Sequence, residues 1–264
     1  MLTLLEHPLS PFAQKVKIAL REKGVPFEVS TPAAIGSGRN DFADANPRGE
    51  APVLFTDDGP IFDSSIILEY VEDAFPQQAL RPPDAYGRAM ARTIEEVCDT
   101  HYEAINWGLS EITFFQRAEG ELAESMRAKA AQQWAMLNAW LERRLGAGEW
   151  FGGETFGWGD LCVAPFLQGA AGFGSRPTEG GALADWFKRV RGRPSVRATL
   201  NEARDAISGM ATAAGGVSQG VMRREYRDHR LEWMIKSGGV EVVLKGLAAD
   251  NIRFTDEAAF AAAK

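Results

Sequence analysis

The chain has 264 residues and a formal net charge of −7, which excludes a broad nucleic-acid-binding role, because phosphate recognition leaves a basic footprint. An apolar fraction of 45% is enough for a real core in one or two domains. Two distant cysteines, Cys98 and Cys162, rule out a disulfide framework and fit a reducing cytosol, and His7, His101 and His229 are scattered without metal-ligand spacing, so no metal site is expected.

The N-terminus, MLTLLEHPLSPF, has neither the basic region nor the apolar region of a secretory leader. No run approaches the roughly 18 apolar residues of a membrane span, so a soluble, cytoplasmic protein is expected. Leu2 to Leu5 reads as a short strand. Ser10-Pro11 then opens a helix, since serine accepts a hydrogen bond from a free backbone N–H and proline fits the first helical position. Phe12, Val16, Ala19 and Leu20 keep helical spacing, and Gly24 supplies the stop. Pro26 to Ser30 is a second strand and completes a βαβ unit. After a glycine-punctuated loop, in which "DFADA" reads as one or two helical turns, Val53–Thr56 and Ile61–Phe62 form a hairpin about Asp57-Asp58-Gly59. Ser64 opens a helix with Ile66, Ile67, Tyr70 and Val71 as its inner face. The order βαβ then ββα is that of an α/β thioredoxin-like domain.

Residues 79–87, within the proline-rich stretch Pro76 to Gly87, read as a linker, and everything after it reads as helical. One long pattern runs to Phe115, and a second, to Leu145, places Met126, Ala130, Trp134, Leu137 and Leu141 at core spacing. The segment from Trp158 to Phe173 is more apolar and suits the centre of a bundle. Two further helices follow, broken at Pro194. The expected organisation is a thioredoxin-like domain over 1–78, an all-helical domain over 88–207 and an extension over 208–264 that opens with a small-residue linker, "SGMATAAGGVSQG". In the extension Met222, Tyr226, His229 and Trp233 share one helical face, beside a basic set of Arg223, Arg224, Arg227 and Arg230. Burying a large apolar side chain contributes about 1.5–3 kcal/mol, so Trp233 and Met234 predict a tail docked on the body or on a partner subunit.

Four segments, in this order over about residues 1–205, resemble the soluble glutathione S-transferase family. "SPFAQKVKIALREKG" is similar to the active-site helix of the serine- and cysteine-using classes, with Ser10 at the key position six before Val16. "NPRGEAPVL" resembles the family's N-P-x-G-x-V-P-x-L, with Ala51 in place of the usual valine and Pro52 at a proline that the family holds cis. "FDSSIILEYVED" resembles [E/Q/D]-S-x-x-I-x-x-Y-L and supplies Asp63 and Ser64. "ETFGWGDLCVAPF" resembles the S-x-A-D capping motif of the second domain's central helix. Asp160 fits it, whereas Gly157 and Gly159 depart from it and predict a cap weaker by roughly a few tenths of a kcal/mol.

The resemblance implies a thioredoxin-like domain followed by an all-α domain, glutathione as cosubstrate, and a homodimer. It implies that the Ser10 hydroxyl donates to the glutathione sulfur as thiolate, and that the backbone of Ala51, at the Pro52 bend, pairs with the tripeptide like an added strand. It further implies that Asp63 answers the γ-glutamyl ammonium, and that Ser64 and a helix N-terminus answer the carboxylate. Phe12, Arg39 and Glu50 are further glutathione-side candidates, Arg39 standing where one class has a lysine near the glycine carboxylate. Tyr102, Asn106 and Trp107 are candidates for an electrophile pocket between the domains, together with Phe12 and Trp233. Plainer readings stand beside these: Ser10 as a helix cap, Arg39 and Glu50 as solvated loop residues, Asp63 as a turn residue, the aromatic residues as core. Detoxifying conjugation of a small hydrophobic electrophile leads the functional expectations. The alternatives are glutathione-dependent ether cleavage or isomerisation, the serine-type loop and long C-terminal extension being similar to bacterial glutathione-dependent β-etherases, and a non-catalytic protein of this fold acting through a partner.

Overall fold

The strand and helix signals of the N-terminal region resolve into a four-stranded mixed sheet of order β2-β1-β3-β4. The computed structural model describes residues 1–31, 45–46, 48–220, 224, 226, 231, 234–235, 237–249 and 251. β1 (Leu2–Leu5) pairs parallel with β2 (Phe27–Ser30) and antiparallel with β3 (Val53–Thr56), which turns into β4 (Gly59–Phe62). A parallel pair needs a crossover connection, and α1 (Pro11–Glu22) supplies it. α2 (Ser64–Ala74) packs beside α1, with Val16, Leu20, Ile67 and Val71 fully buried between them and the sheet residues Leu4 and Leu54. Ile66, expected on the inner face, is 57% exposed; Leu68, one position off the assumed face, is buried instead. Gly59 joins β4, which shortens the turn to Asp57-Asp58. Of "DFADA", only Ala45 is among the described residues.

The helical part comprises α3 (Ala85–Val97), α4 (Glu103–Thr113), α5 (Gly120–Leu145), α6 (Trp158–Gly172), α7 (Ala182–Gly192), α8 (Pro194–Ala206), α9 (Met210–Ser218) and α10 (Val240–Ala248). The single pattern running to Phe115 is therefore two helices, joined by a π-helical turn over Cys98–Tyr102. α3 begins inside the expected linker because Asp84 caps it, its carboxylate accepting the Gly87 N–H at 2.8 Å. The small-residue stretch expected as a linker is largely helical, in a 3₁₀ turn (Ile207–Gly209) and α9. Methionine and alanine are good helix formers, and no proline interrupts them. Met222, His229, Trp233, Arg223, Arg227 and Arg230 lie outside the described residues. No helix among the described residues is long and apolar enough to cross a membrane.

α6 is the centre of the bundle, with every residue from Trp158 to Leu167 buried and contacts to α1, α3, α4, α7 and α8. Its N-terminus explains the two glycines that depart from the family motif. The Asp160 carboxylate accepts the N–H of Gly157 at 2.9 Å, that of Phe151 at 3.1 Å and the Trp186 indole N–H at 2.7 Å. Burial raises Asp160 to about 6, against the opposing pull of these donors. A Cβ on Gly157 would come within 2.7 Å of the Leu80 carbonyl, and one on Gly159 within 2.7 Å of Phe151 Cβ. That Leu80 carbonyl accepts the Trp158 N–H at 2.7 Å, and the Leu80 N–H donates to Glu72 of α2 at 3.0 Å. The chain between α2 and α3 is thus fastened to both halves, and glycine at 157 is what lets it come close enough. Gly157→Ala should therefore destabilise the protein by about 1–3 kcal/mol through overpacking, measured as a lower urea midpoint with an unchanged slope.

Candidate functional site

Three chain reversals meet at one edge of the sheet: the loop after β1, the bend before β3 and the turn before α2. Ser10 ends the first. Its N–H donates to the His7 carbonyl at 2.8 Å, and its hydroxyl accepts the Ala13 N–H at 3.3 Å, so it caps α1. Gln14 steadies this loop by donating to the Pro8 carbonyl at 2.8 Å. As a cap the hydroxyl acts as acceptor, and its own proton has no acceptor among the described residues. Phe12 sits half-buried in the first turn of α1, edge-on to Phe166 of α6 with ring centroids 5.6 Å apart.

At the second reversal the Ala51–Pro52 peptide is cis. The Ala51 N–H and C=O make no hydrogen bond among the described residues. The buried Asn46 shapes the approach, donating to the Glu50 carbonyl at 2.6 Å and accepting the Arg48 N–H at 2.9 Å. At the third reversal Asp63 caps α2, accepting the Ser65 N–H at 3.0 Å. Its φ of 73° lies in a region that a non-glycine residue enters at a cost of about 1–3 kcal/mol. The Ser64 hydroxyl has no partner among the described residues. Arg48, which no sequence signal had singled out, joins the second and third reversals: it pairs with Glu50 at 2.7 Å and Asp63 at 3.4 Å. Arg39 lies outside the described residues.

Directly behind these turns is a buried polar cluster that sequence reasoning also missed. The Lys15 ammonium, fully buried, donates to Glu95 at 2.7 Å and to Asp99 at 2.5 Å, with Ser65 Oγ at 3.5 Å. Burial opposes the charge on Lys15, but Asp99 and Glu95 outweigh it and hold the amine above its ordinary range. For Asp99 burial prevails, and its carboxyl rises to about 6 despite Lys15. The Asp99 Oδ1 atom is buried without a hydrogen-bond partner. Cys98 and Cys162 are also buried, which pushes both thiols well up and leaves them poor nucleophiles.

The electrophile-pocket candidates fare differently. Tyr102 is fully buried and donates to Asn138 Oδ1 at 2.6 Å, so it belongs to the core and lines no open pocket. It continues the buried face of Ile94 and Cys98 at a spacing of four residues. Asn106 donates to the Phe166 carbonyl at 2.9 Å and thereby clamps α4 to α6. Trp107 is half-buried beneath the C-terminal extension. Tyr226 meets its ring edge-on at 4.5 Å, and the Arg224 guanidinium lies 4.8 Å above it. Glu111 anchors both, at 2.5 Å from Arg224 and 3.0 Å from Tyr226. Through Arg224 and Tyr226 the extension touches α4. Among the described residues no cluster of His, Cys, Asp or Glu is placed to hold a metal ion.

Comparison with known proteins agrees with this architecture. Residues 4–79 match the family model for the glutathione S-transferase N-terminal domain, and residues 115–189 match that for the C-terminal domain. Glutathione S-transferase U28 of Arabidopsis thaliana is 32% identical over 211 residues, 75% of this chain and 88% of the relative. Among solved structures, a glutathione S-transferase from Rhodospirillum rubrum F11 is 28% identical with a TM-score of 0.67, covering 76% of this chain and 92% of its own. A rice glutathione S-transferase solved in complex with glutathione is 28% identical with a TM-score of 0.66, covering 84% of this chain and 98% of its own.

The raised Asp99 pKa has a consequence for stability. A carboxyl raised on folding contributes stability that is complete below its unfolded value and is lost as pH rises through about 6. Between pH 7 and pH 4 the wild type should therefore gain up to about 2 kcal/mol relative to Asp99→Asn. Urea unfolding of both proteins across that range tests this, and parallel curves would contradict it.

Proposed function

The chain belongs to the glutathione S-transferase family, and on that premise we propose that it binds glutathione across its three turns and activates the thiol for attack on a small hydrophobic electrophile. The observation that carries this reading is the Ser10 hydroxyl, whose proton is uncommitted at the N-terminus of α1. A free thiol has a pKa of about 8.5, and lowering it by about two units requires roughly 2.7 kcal/mol of preference for the anion. A charge-assisted hydrogen bond supplies about 1.5–3 kcal/mol, and a helix N-terminus adds about 0.3–1 kcal/mol. Together these reach the required size. The thiol proton leaves to solvent, the sulfur forms a new bond to the electrophilic carbon, and the leaving group departs with the bonding pair. Serine acts throughout as a donor.

The remaining turns support the grip. The unpaired Ala51 N–H and C=O suit strand-like pairing with the tripeptide. The free Ser64 hydroxyl and the N-terminus of α2 suit the γ-glutamyl carboxylate, and the Asp63 carboxylate suits its ammonium, in competition with Arg48. Phe12 and Glu50 stand beside these groups, and Arg39 is the proposed partner of the glycine carboxylate. Trp107, under Tyr226 and Arg224, is the proposed aromatic face of the electrophile site. We assign the protein a cytoplasmic detoxifying role as a homodimer, for which the large exposed side chains Ile66 and Tyr86 offer apolar surface.

Glutathione at about 100 times its dissociation constant should stabilise the protein by about 2.7 kcal/mol. The absence of any rise in melting temperature at millimolar glutathione would sink this reading. Ser10→Ala should bind glutathione nearly as well yet lose about 10- to 100-fold in turnover of 1-chloro-2,4-dinitrobenzene, the loss expected for one charge-assisted hydrogen bond. Unchanged turnover would return Ser10 to the role of a cap.

A further inference from the structure

We propose that Glu95 of α3 is a positioning residue for the thiol chemistry, holding the Asp63–Ser65 turn and the Ser10 helix in fixed relation to each other and to the helical domain. The inference rests on the glutathione reading above. Both oxygens of this carboxylate are fully used. Oε1 accepts from Ser65 Oγ at 2.6 Å and Lys15 Nζ at 2.7 Å, and Oε2 accepts from the Trp158 indole at 2.6 Å and Arg92 at 3.1 Å. The four partners come from α2, α1, α6 and α3 itself. The Glu95 side chain is only 3% exposed, so each bond is made away from competing water.

Each of the first two partners leads directly to a glutathione-facing turn. Ser65 follows Ser64, and its own N–H is held by the Asp63 carboxylate. Lys15 lies five residues beyond Ser10 on α1, about 7.5 Å of helical rise, and its ammonium is 5.7 Å from the centre of the Phe12 ring. A bond that served only to join the two domains would need Lys15 and Glu95. It would not need the hydroxyl of the residue after Ser64 on the same oxygen. Asp99 shows the contrast: it meets Lys15 through one oxygen, leaves the other without a partner, and reaches no part of the Asp63–Ser65 turn among the described residues. Burial alone would raise the pKa of Glu95, but Lys15 and the hydrogen bonds from Ser65 and Trp158 reverse this and keep it below the ordinary carboxylate value.

The test compares Glu95→Gln, Ser65→Ala and a control, Arg193→Gln. The control breaks a paired interdomain contact to Glu22, at 2.8 and 2.7 Å, which touches neither turn. Three quantities are read: melting temperature, glutathione dissociation constant, and the pKa of bound glutathione from thiolate absorbance against pH. Glu95→Gln should weaken glutathione binding by about fivefold or more and raise the bound thiol pKa by about half a unit. Ser65→Ala should move both in the same direction by less, and Arg193→Gln should lower the melting temperature alone. If Glu95→Gln and Ser65→Ala also change only the melting temperature, Glu95 is a domain tie and the proposal is wrong. Should Glu95→Gln fail to fold, Ser65→Ala decides, since it removes only the link to the turn. A wild type that shows no glutathione-induced shift defeats the glutathione reading itself. A wild-type shift with unperturbed binding in the variants defeats the positioning role alone.

Discussion

The burial of two lysine ammonium groups on α1 governs how the two halves of this protein meet. An unpaired charge in the interior costs several kcal/mol, so each must find a partner. Lys15 finds Glu95 and Asp99 on the first long stretch of the helical domain, and Lys17 finds Glu6 at the end of β1 and Glu202 on α8. Arg21 also pairs with Glu202, and Glu22 receives Arg193 and Ser195 at the start of α8. About two turns of one helix, Lys15 to Glu22, are therefore matched to partners that come, apart from Glu6, from the other half of the chain. Sliding α1 by one residue would orphan all of them together. Such pairs add little net stability over an apolar interface, and what they fix here is register. Of these pairs, those of Lys15 lie nearest the end of α1 that Ser10 caps, so they bear on the placement of the Ser10 hydroxyl.

Much of the frame was readable in advance because it depends on periodicity and on residues with only one backbone use. Ser10-Pro11 and Gly24 bracketed α1, Pro194 separated α7 from α8, and the resemblance at Pro52 carried the cis bond. What went unremarked shares a physical cause. Lys15 and Lys17 look like solvated positions, since lysine is almost never fully buried unless paired, and their partners lie 50 to 185 residues away, apart from Glu6, which is 11 residues from Lys17. Glu95 and Asp99 look like the wet face of an amphipathic helix for the same reason. Gly157 was legible as a weakened cap and makes no side-chain cap bond, but the close approach of the Leu80 carbonyl that requires glycine there was not legible. Each of these depends on a long-range neighbour that local pattern does not contain.

The strain at Asp63 joins the two themes. A non-glycine residue at a φ of 73° persists only where its surroundings over-determine it. Here the determinants can be named. The Asp63 carboxylate caps the Ser65 N–H, and the Ser65 hydroxyl is fixed on Glu95, whose other bonds reach α1 and α6. The strained turn thus belongs to the thioredoxin-like half in sequence, while the anchor that over-determines it belongs to the helical half. The turn before α2 thus takes part of its support from the helical half. The loops of the small sheet domain carry the backbone groups at Ala51 and the cap at Ser10, and the helical bundle supplies the counter-charges of Lys15 and Lys17 on the helix that Ser10 caps. An isolated thioredoxin-like half would leave the Lys15 and Lys17 face of α1 open to water and the Asp63 turn without its support.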